Sequence, residues 1–200
     1  MDLEEKMTMQ RYKNMVRIHE DMVAYYTHVL CLDLGINPEK ATWAAMYHDH
    51  GKFLWDMDLF TLPFNKMTKE HWEIIRNHPR SAGEVIFTEM PLEKYRFLKG
   101  DPSIMDLIIL HHEKPDGSGY YGVKDIPVEA AIISIADVFD ACLSDRPYRD
   151  SMKIEPALEQ ALKPFEKYLK KEGYNPEEVR RCLKKSAIKL QAEYKNLSAS

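Results

Sequence analysis

The chain has 200 residues, 44% hydrophobic and 30% charged, the make-up of one ordinary globular domain or of a domain with a helical appendage. A net charge of −4 and a pI near 6.1 exclude a general attraction to duplex nucleic acid, so an anionic ligand needs a local basic site. The opening MDLEEKMTMQ lacks the basic and apolar regions of a signal peptide, and no apolar run approaches membrane-spanning length. Cys31, Cys142 and Cys182 are far apart and fit no zinc-knuckle spacing, so they read as thiols in a reducing cytoplasm.

Eight glycines and few alternating β-branched runs favour an all-α chain. Apolar residues recur at helical spacing from about Tyr12 to Leu30, through Met15, Val16, Val23 and Tyr26. Asn37-Pro38 is a cap followed by proline in the first turn, and opens a helix through Trp43 and Ala45 to His48. Thr68 caps a helix carrying Trp72 and Ile75 that is expected to end at His78, where Pro79 restricts continuation. Asp101-Pro102 repeats the cap-then-proline device before Ile104, Leu107, Ile108 and His111. Pro127 opens VEAAIISIADVFDACL. From Met152 an amphipathic segment carries Ile154, Leu158, Leu162, Phe165 and Leu169, with a kink expected at Pro164. Gly173 and Asn175-Pro176 divide it from a last helix bearing Val179, Leu183, Ala187 and Leu190. A domain over residues 1–150 and a C-terminal helical extension over 151–200, packed on the core, follow from this pattern.

Polar residues interrupt the apolar faces. His19 shares a face with Val16 and Val23; His48-Asp49, His78 and His111-His112 stand at helix ends; Asp137 lies four residues after Ile133 on an alanine- and isoleucine-rich helix. Any one of them is commonly a hydrogen-bonded core residue. Five imidazoles and two carboxylates together are expensive to bury without a compensating ion. Divalent cations keep imidazoles neutral and carboxylates ionised, and a thiolate-free His/Asp set suits iron or manganese. Seven ligands exceed one tetrahedral ion and suit two divalent ions sharing Asp49. Two ions about 3.5–4 Å apart can activate a water and stabilise an in-line phosphoryl displacement.

Four segments in order, HDHGK at 48–52, MTKEHWEIIRNHPRSAGEVI at 67–86, HHEKPDGSGYYG at 111–122 and ADVFDACLSDRPYRD at 136–150, together with His19, resemble the HD-GYP family of the HD superfamily. The resemblance implies an HD-domain helical bundle and a bacterial-signalling phosphodiesterase that opens cyclic di-GMP to pGpG and onward to GMP. It implies one ion on His19, His48, Asp49 and Asp137, and a second on Asp49, His78, His111 and His112. Lys52 falls on the family lysine that protonates the leaving 3′ oxygen or binds the phosphate. Arg146 and Arg149 fall on phosphate-contacting positions, where the planar guanidinium fork suits a phosphate. Asp140 falls on a polar residue of the substrate site. Tyr120 belongs to the loop beside the substrate, and Tyr148 is placed to stack on a base or to pack its turn.

The sequence departs from the family in three places. Met15 stands where some members carry a glutamate for a third metal, so two ions are expected. The segments 53–67 and 79–110 are longer than usual. The family's GYP reads Gly119-Tyr120-Tyr121. Loss of proline is expected to loosen the loop slightly and to restore a backbone donor. That loop is the expected contact for a regulatory signalling partner, and the helical tail makes a homodimer plausible. Glu113 reads either as a group that orients a ligand or as a solvated helix-end residue. Other readings of the same residues are a hydrolase of another cyclic dinucleotide or nucleotide phosphoester, and a cyclic-nucleotide sensor without turnover.

Overall fold

A computed structural model describes residues 3–89, 103–145 and 150–198. The helices are α1 (Leu3–Asp33), α2 (Pro38–Tyr47), α3 (Met57–Thr61), α4 (Lys69–Glu89), α5 (Ile104–Leu110), α6 (Val128–Leu143), α7 (Ile154–Leu162), α8 (Glu166–Lys171) and α9 (Pro176–Ser198). Short 3₁₀ turns cover His50–Leu54 and Phe64–Lys66, and no strand occurs among the described residues. The fold is all-α. No described helix is long and apolar enough to cross a membrane.

Helix α6 is the axis of the bundle. Eleven of its sixteen residues are buried, among them Ile132, Ile133, Ile135 and Phe139. A helix apolar on every side must be surrounded, and α1, α2, α5 and α7 enclose it. Tyr26 of α1 meets Phe139 edge to face, with ring centroids 5.2 Å apart. Leu158, Leu162, Phe165, Leu169, Val179 and Leu183 of the C-terminal helices join the same continuous core as Val23, Leu30, Leu107 and Ile133.

Helix α1 starts at Leu3 rather than near Tyr12. Its first turns are exposed and so carry no apolar period, while Glu4 and Glu5 suit the positive end of the helix dipole. Asn37 does cap α2, accepting from the Glu39 amide at 3.0 Å. The cap of α5 is Ser103, not Asp101, which lies outside the described residues. Ser103 Oγ accepts from the Asp106 amide at 3.0 Å while Asp106 accepts from the Ser103 amide at 2.9 Å, a reciprocal capping box. The kink expected at Pro164 is a full break, because α7 stops at Leu162 and α8 begins at Glu166.

The expected end of α4 at His78 is also corrected: the helix runs through Pro79 to Glu89. Proline at 79 cannot donate to the Ile75 carbonyl. His78 Nδ1–H donates to that carbonyl instead, at 2.6 Å, so the imidazole supplies the bond the proline lacks.

Candidate metal centre

Gly51 brings the first ligands together. A Cβ on it would lie 2.0 Å from the His78 carbonyl oxygen, so only glycine lets the HDHGK turn rest on α4. Asp49, just before this turn, has φ −101° and ψ 4°, in the sparsely populated bridge region. The Lys52 amide donates to the Asp49 carbonyl at 2.8 Å, and Glu20 of α1 accepts from the Asp49 amide at 3.2 Å.

The structure brings all seven sequence-derived ligands into two groups: Asp49, His78, His111 and His112 in one, and His19, His48 and Asp137 in the other, with ligand atoms in each group within 4.8 Å of one another. Asp49 spans both. Its Oδ1 lies 3.0 Å from His78 Nε2, and its Oδ2 lies 3.7 Å from His48 Nε2 and 3.8 Å from His19 Nε2. The second carboxylate, Asp137, faces His19 Nε2 at 3.0 Å, His48 Nε2 at 3.8 Å and His112 Nδ1 at 3.8 Å.

Three of the imidazoles are fixed by one device. His48, His78 and His111 each donate Nδ1–H to the carbonyl three residues earlier, on Ala45, Ile75 and Ile108, at 2.7, 2.6 and 2.6 Å. That bond sets the tautomer and leaves Nε2 as a lone-pair donor. His19 Nδ1 is held by Asp140 at 2.6 Å, the carboxylate–histidine arrangement that orients metal ligands. The Nε2 atoms of His48, His78 and His111 and Oδ1 of Asp49 are buried without a hydrogen-bond partner. Buried orphan acceptors of this kind are rare; three of them lie in the Asp49 group and the fourth, His48, in the neighbouring one, and such lone pairs fit bound divalent cations.

The electrostatics follow from the same crowding. Burial pushes His111 well below the usual imidazole value, helped by neighbouring imidazoles, and pushes His112 down to about 3 against the pull of Asp137. Burial would lower His19 too, but its bonds to Asp137 and Asp140 outweigh that and hold it at about 9. Burial opposes the ionised forms of Asp49 and Asp137, yet the Lys52 and His48 charges beside Asp49 and the His19 and His48 bonds to Asp137 keep both carboxyls well below their usual range.

The remaining expected residues divide. Lys52 reaches Asp49 Oδ2 in a close ion pair and keeps a partly exposed side chain beside the Trp55 ring. Tyr120 borders the second group, its ring centroid 4.4 Å from that of His112. Burial, then the Asp137 and Asp49 charges, raise its phenol. Asp140, expected among substrate contacts, is 4% exposed and turned onto His19. Arg146, Tyr148 and Arg149 lie outside the described residues. Met15 is exposed.

Sequence reasoning passed over Glu20, His50 and Ser134. Glu20, 2% exposed, accepts from both the Asp49 amide and His50 Nδ1, the latter at 2.6 Å. Ser134 Oγ donates to the His111 carbonyl in a short contact. A signal was present for His50 alone, as the histidine inside HDHGK. Glu113, left open between two roles, is fully buried and accepts from the Tyr121 and Val123 amides, both at 2.7 Å.

Comparison with known proteins places this centre in context. The HD domain family model matches residues 4–177. A 3′3′-cGAMP-specific phosphodiesterase 3 of Vibrio cholerae is 32% identical over 146 residues, 70% of this chain and 30% of that protein. The cyclic di-GMP phosphodiesterase response regulator RpfG of Xanthomonas campestris is 33% identical over 145 residues, 69% of this chain and 36% of that protein. The chain thus spans about a third of the length of these curated relatives. Among solved structures, the PgpH phosphodiesterase HD domain of L. monocytogenes in complex with cyclic-di-AMP superposes with a TM-score of 0.59, at 19% identity, over 87% of this chain and 91% of that one, which shows a shared fold. By its sequence match and its His/Asp centre, the chain belongs to the HD domain family, in the HD-GYP branch.

Proposed function

We propose that this chain is a metal-dependent phosphodiesterase that hydrolyses a cyclic dinucleotide, cyclic di-GMP first, to linear pGpG and then GMP. The observation that carries the reading is the division of Asp49 between two histidine groups, in which Nε2 of His48, His78 and His111 is buried without a hydrogen-bond partner. The relatives named for cyclic di-GMP and 3′3′-cGAMP hydrolysis support the substrate class. Two divalent ions suit this donor set, and borderline iron or manganese match imidazole and carboxylate better than a soft ion would. Bound there, they would supply Lewis acidity to the phosphate and lower the pKa of the attacking water.

The chain's own groups do the rest. Asp49 and Asp137 furnish the negative charge that balances two cations. Asp140 keeps His19 Nε2 aimed inward, so it acts through the ligand and not on the substrate. Lys52 stands next to the shared carboxylate with a partly exposed side chain, placed to give a proton to the leaving 3′ oxygen. Tyr120 offers a phenol hydroxyl at the edge of the second group. Arg146 and Arg149 bind the phosphates and Tyr148 stacks on a base. A cytoplasmic location accords with three free thiols.

The test is a turnover panel. Anaerobically purified protein is loaded with Fe(II) or Mn(II) and incubated with cyclic di-GMP, 3′3′-cGAMP and cyclic di-AMP, and the products are resolved. Tight binding without hydrolysis of any of them overturns the enzyme reading. Hydrolysis of 3′3′-cGAMP in preference to cyclic di-GMP moves the substrate and keeps the chemistry. Lys52→Ala is expected to lose about 100-fold or more in kcat with both ions retained.

A further inference from the structure

The loop after His111-His112 is tied down at three points that the catalytic reading does not use. Glu113 takes the Tyr121 and Val123 amides, one on each carboxylate oxygen. Gly119 packs so closely on this strap that a Cβ would sit 2.5 Å from Glu113 Cα and 2.7 Å from the His112 carbonyl oxygen. Tyr121 then crosses to α4. Its hydroxyl donates to the Arg76 carbonyl at 2.8 Å, and the Arg80 guanidinium lies 4.0 Å from its ring centroid. Residue 120 is thus held from both sides, by Gly119 pressed on the histidine pair and by Tyr121 fastened to the helix that carries His78.

We infer that Tyr121 is a positioning residue: its amide, hydroxyl and ring latch the loop to Glu113 and α4, and so hold the Tyr120 ring over His112 as a fixed wall of the substrate site. The inference rests on the proposed reaction for the substrate's identity alone. Proline at this position would have no amide N–H for Glu113 and no aromatic ring or hydroxyl for α4, so the restored donor is used and the latch opposes the expected loosening of the loop. Arg80 serves the latch from outside, since a guanidinium over an aromatic face is attractive even at an exposed site.

The experiment compares Tyr121→Pro, Tyr121→Ala, Tyr121→Phe and Arg80→Ala in the metal-loaded chain. Hydrogen exchange of amides 118–123 is read beside metal content, thermal midpoint and steady-state kinetics on cyclic di-GMP and on bis(p-nitrophenyl) phosphate. Pro and Ala at 121 are expected to speed loop exchange about tenfold or more. They should raise KM about tenfold with kcat within about threefold and metal content unchanged. Phe at 121, which keeps the amide and the ring, should fall between these and the parent, as should Arg80→Ala. A lower thermal midpoint with parental loop exchange and parental KM would overturn the inference, because that is the signature of packing alone. If the parent turns over bis(p-nitrophenyl) phosphate but no cyclic dinucleotide, the substrate reading fails, while loop exchange and the KM for the small diester still decide the latch.

Discussion

Gly51→Ala isolates the contact that brings the HD motif onto α4. Its new Cβ would meet the His78 carbonyl oxygen at 2.0 Å, whereas ordinary contact begins at 3.4 Å, so the turn must retreat by about 1.4 Å. Overpacking of this kind destabilises by about 1–3 kcal/mol, and at roughly 2–4 °C per kcal/mol for a chain of this size the thermal midpoint should fall by roughly 2–12 °C. The larger effect is on the site, because Asp49 and His78 approach each other across this seam, at 3.0 Å. A misplacement of about 1 Å in a reacting constellation costs on the order of 100-fold in rate, and the affinity of the second ion should drop with it. The assay is Mn(II) titration by calorimetry, with kcat measured at saturating metal. The obstacle also includes Ser81 Oγ, at 2.6 Å from the added Cβ, and Ser81→Ala removes only that part. The pair Gly51→Ala/Ser81→Ala should therefore remain impaired. Parental metal affinity in Gly51→Ala, or full recovery in the pair, would refute the argument that backbone approach is what glycine provides.

Glu20→Ala removes the acceptor shared by the Asp49 amide and His50 and should weaken Mn(II) binding about tenfold or more, whereas Glu20→Gln, which keeps an acceptor, should lose less; equal losses would assign the effect to charge. Asp140→Ala should lower affinity for one ion selectively, seen as a second, weaker step in the titration, because it releases His19 alone. In the metal-free chain the pH dependence of stability has opposite signs at the two groups. His112 has its folded value near 3, below the ordinary 6.5, so its contribution is complete above about pH 6.5 and is lost as pH falls toward 3. His19, raised to about 9, contributes fully below about pH 6.5 and loses this as pH rises through 9. The thermal midpoint should therefore peak near about pH 6.5 without metal, and saturating Mn(II) should raise it most on the alkaline side, where imidazoles bind the ion without competing protons. A flat profile between about pH 5 and about pH 8 would contradict this sign assignment.

Much of the centre was legible in the sequence because ligands are polar residues on otherwise apolar helical faces. His19 between Val16 and Val23, and Asp137 after Ile133, break a 3.6-residue period that is visible without coordinates. What was not legible depends on backbone groups. That Glu20 caps the Asp49 amide requires knowing that α1 crosses the end of α2, and adjacent residues on a helix face different ways, so the pair His19-Glu20 gave no sign of serving one site. Asp140 was read toward the substrate from the family resemblance, whereas its turn onto His19 is set by the packing of α6 on α1. The continuation of α4 through Pro79 was hidden for a related reason: helix rules describe backbone donors, and here the donor is a side chain.

That substitution of an imidazole for a missing amide ties two properties that are usually separate. Pro79 has no amide hydrogen to give the Ile75 carbonyl, and His78 Nδ1–H takes that oxygen and so holds a single tautomer. Pro79→Ala would install a competitor: the new amide completes the helical ladder and gains the stability that proline forgoes, about 3 kcal/mol in a helix interior. The same change would set the His78 ring free to rotate and to place a proton on the nitrogen that should face the ion. A variant that melts later and binds metal more weakly would show that the irregularity in α4 is retained for coordination at the expense of helix strength.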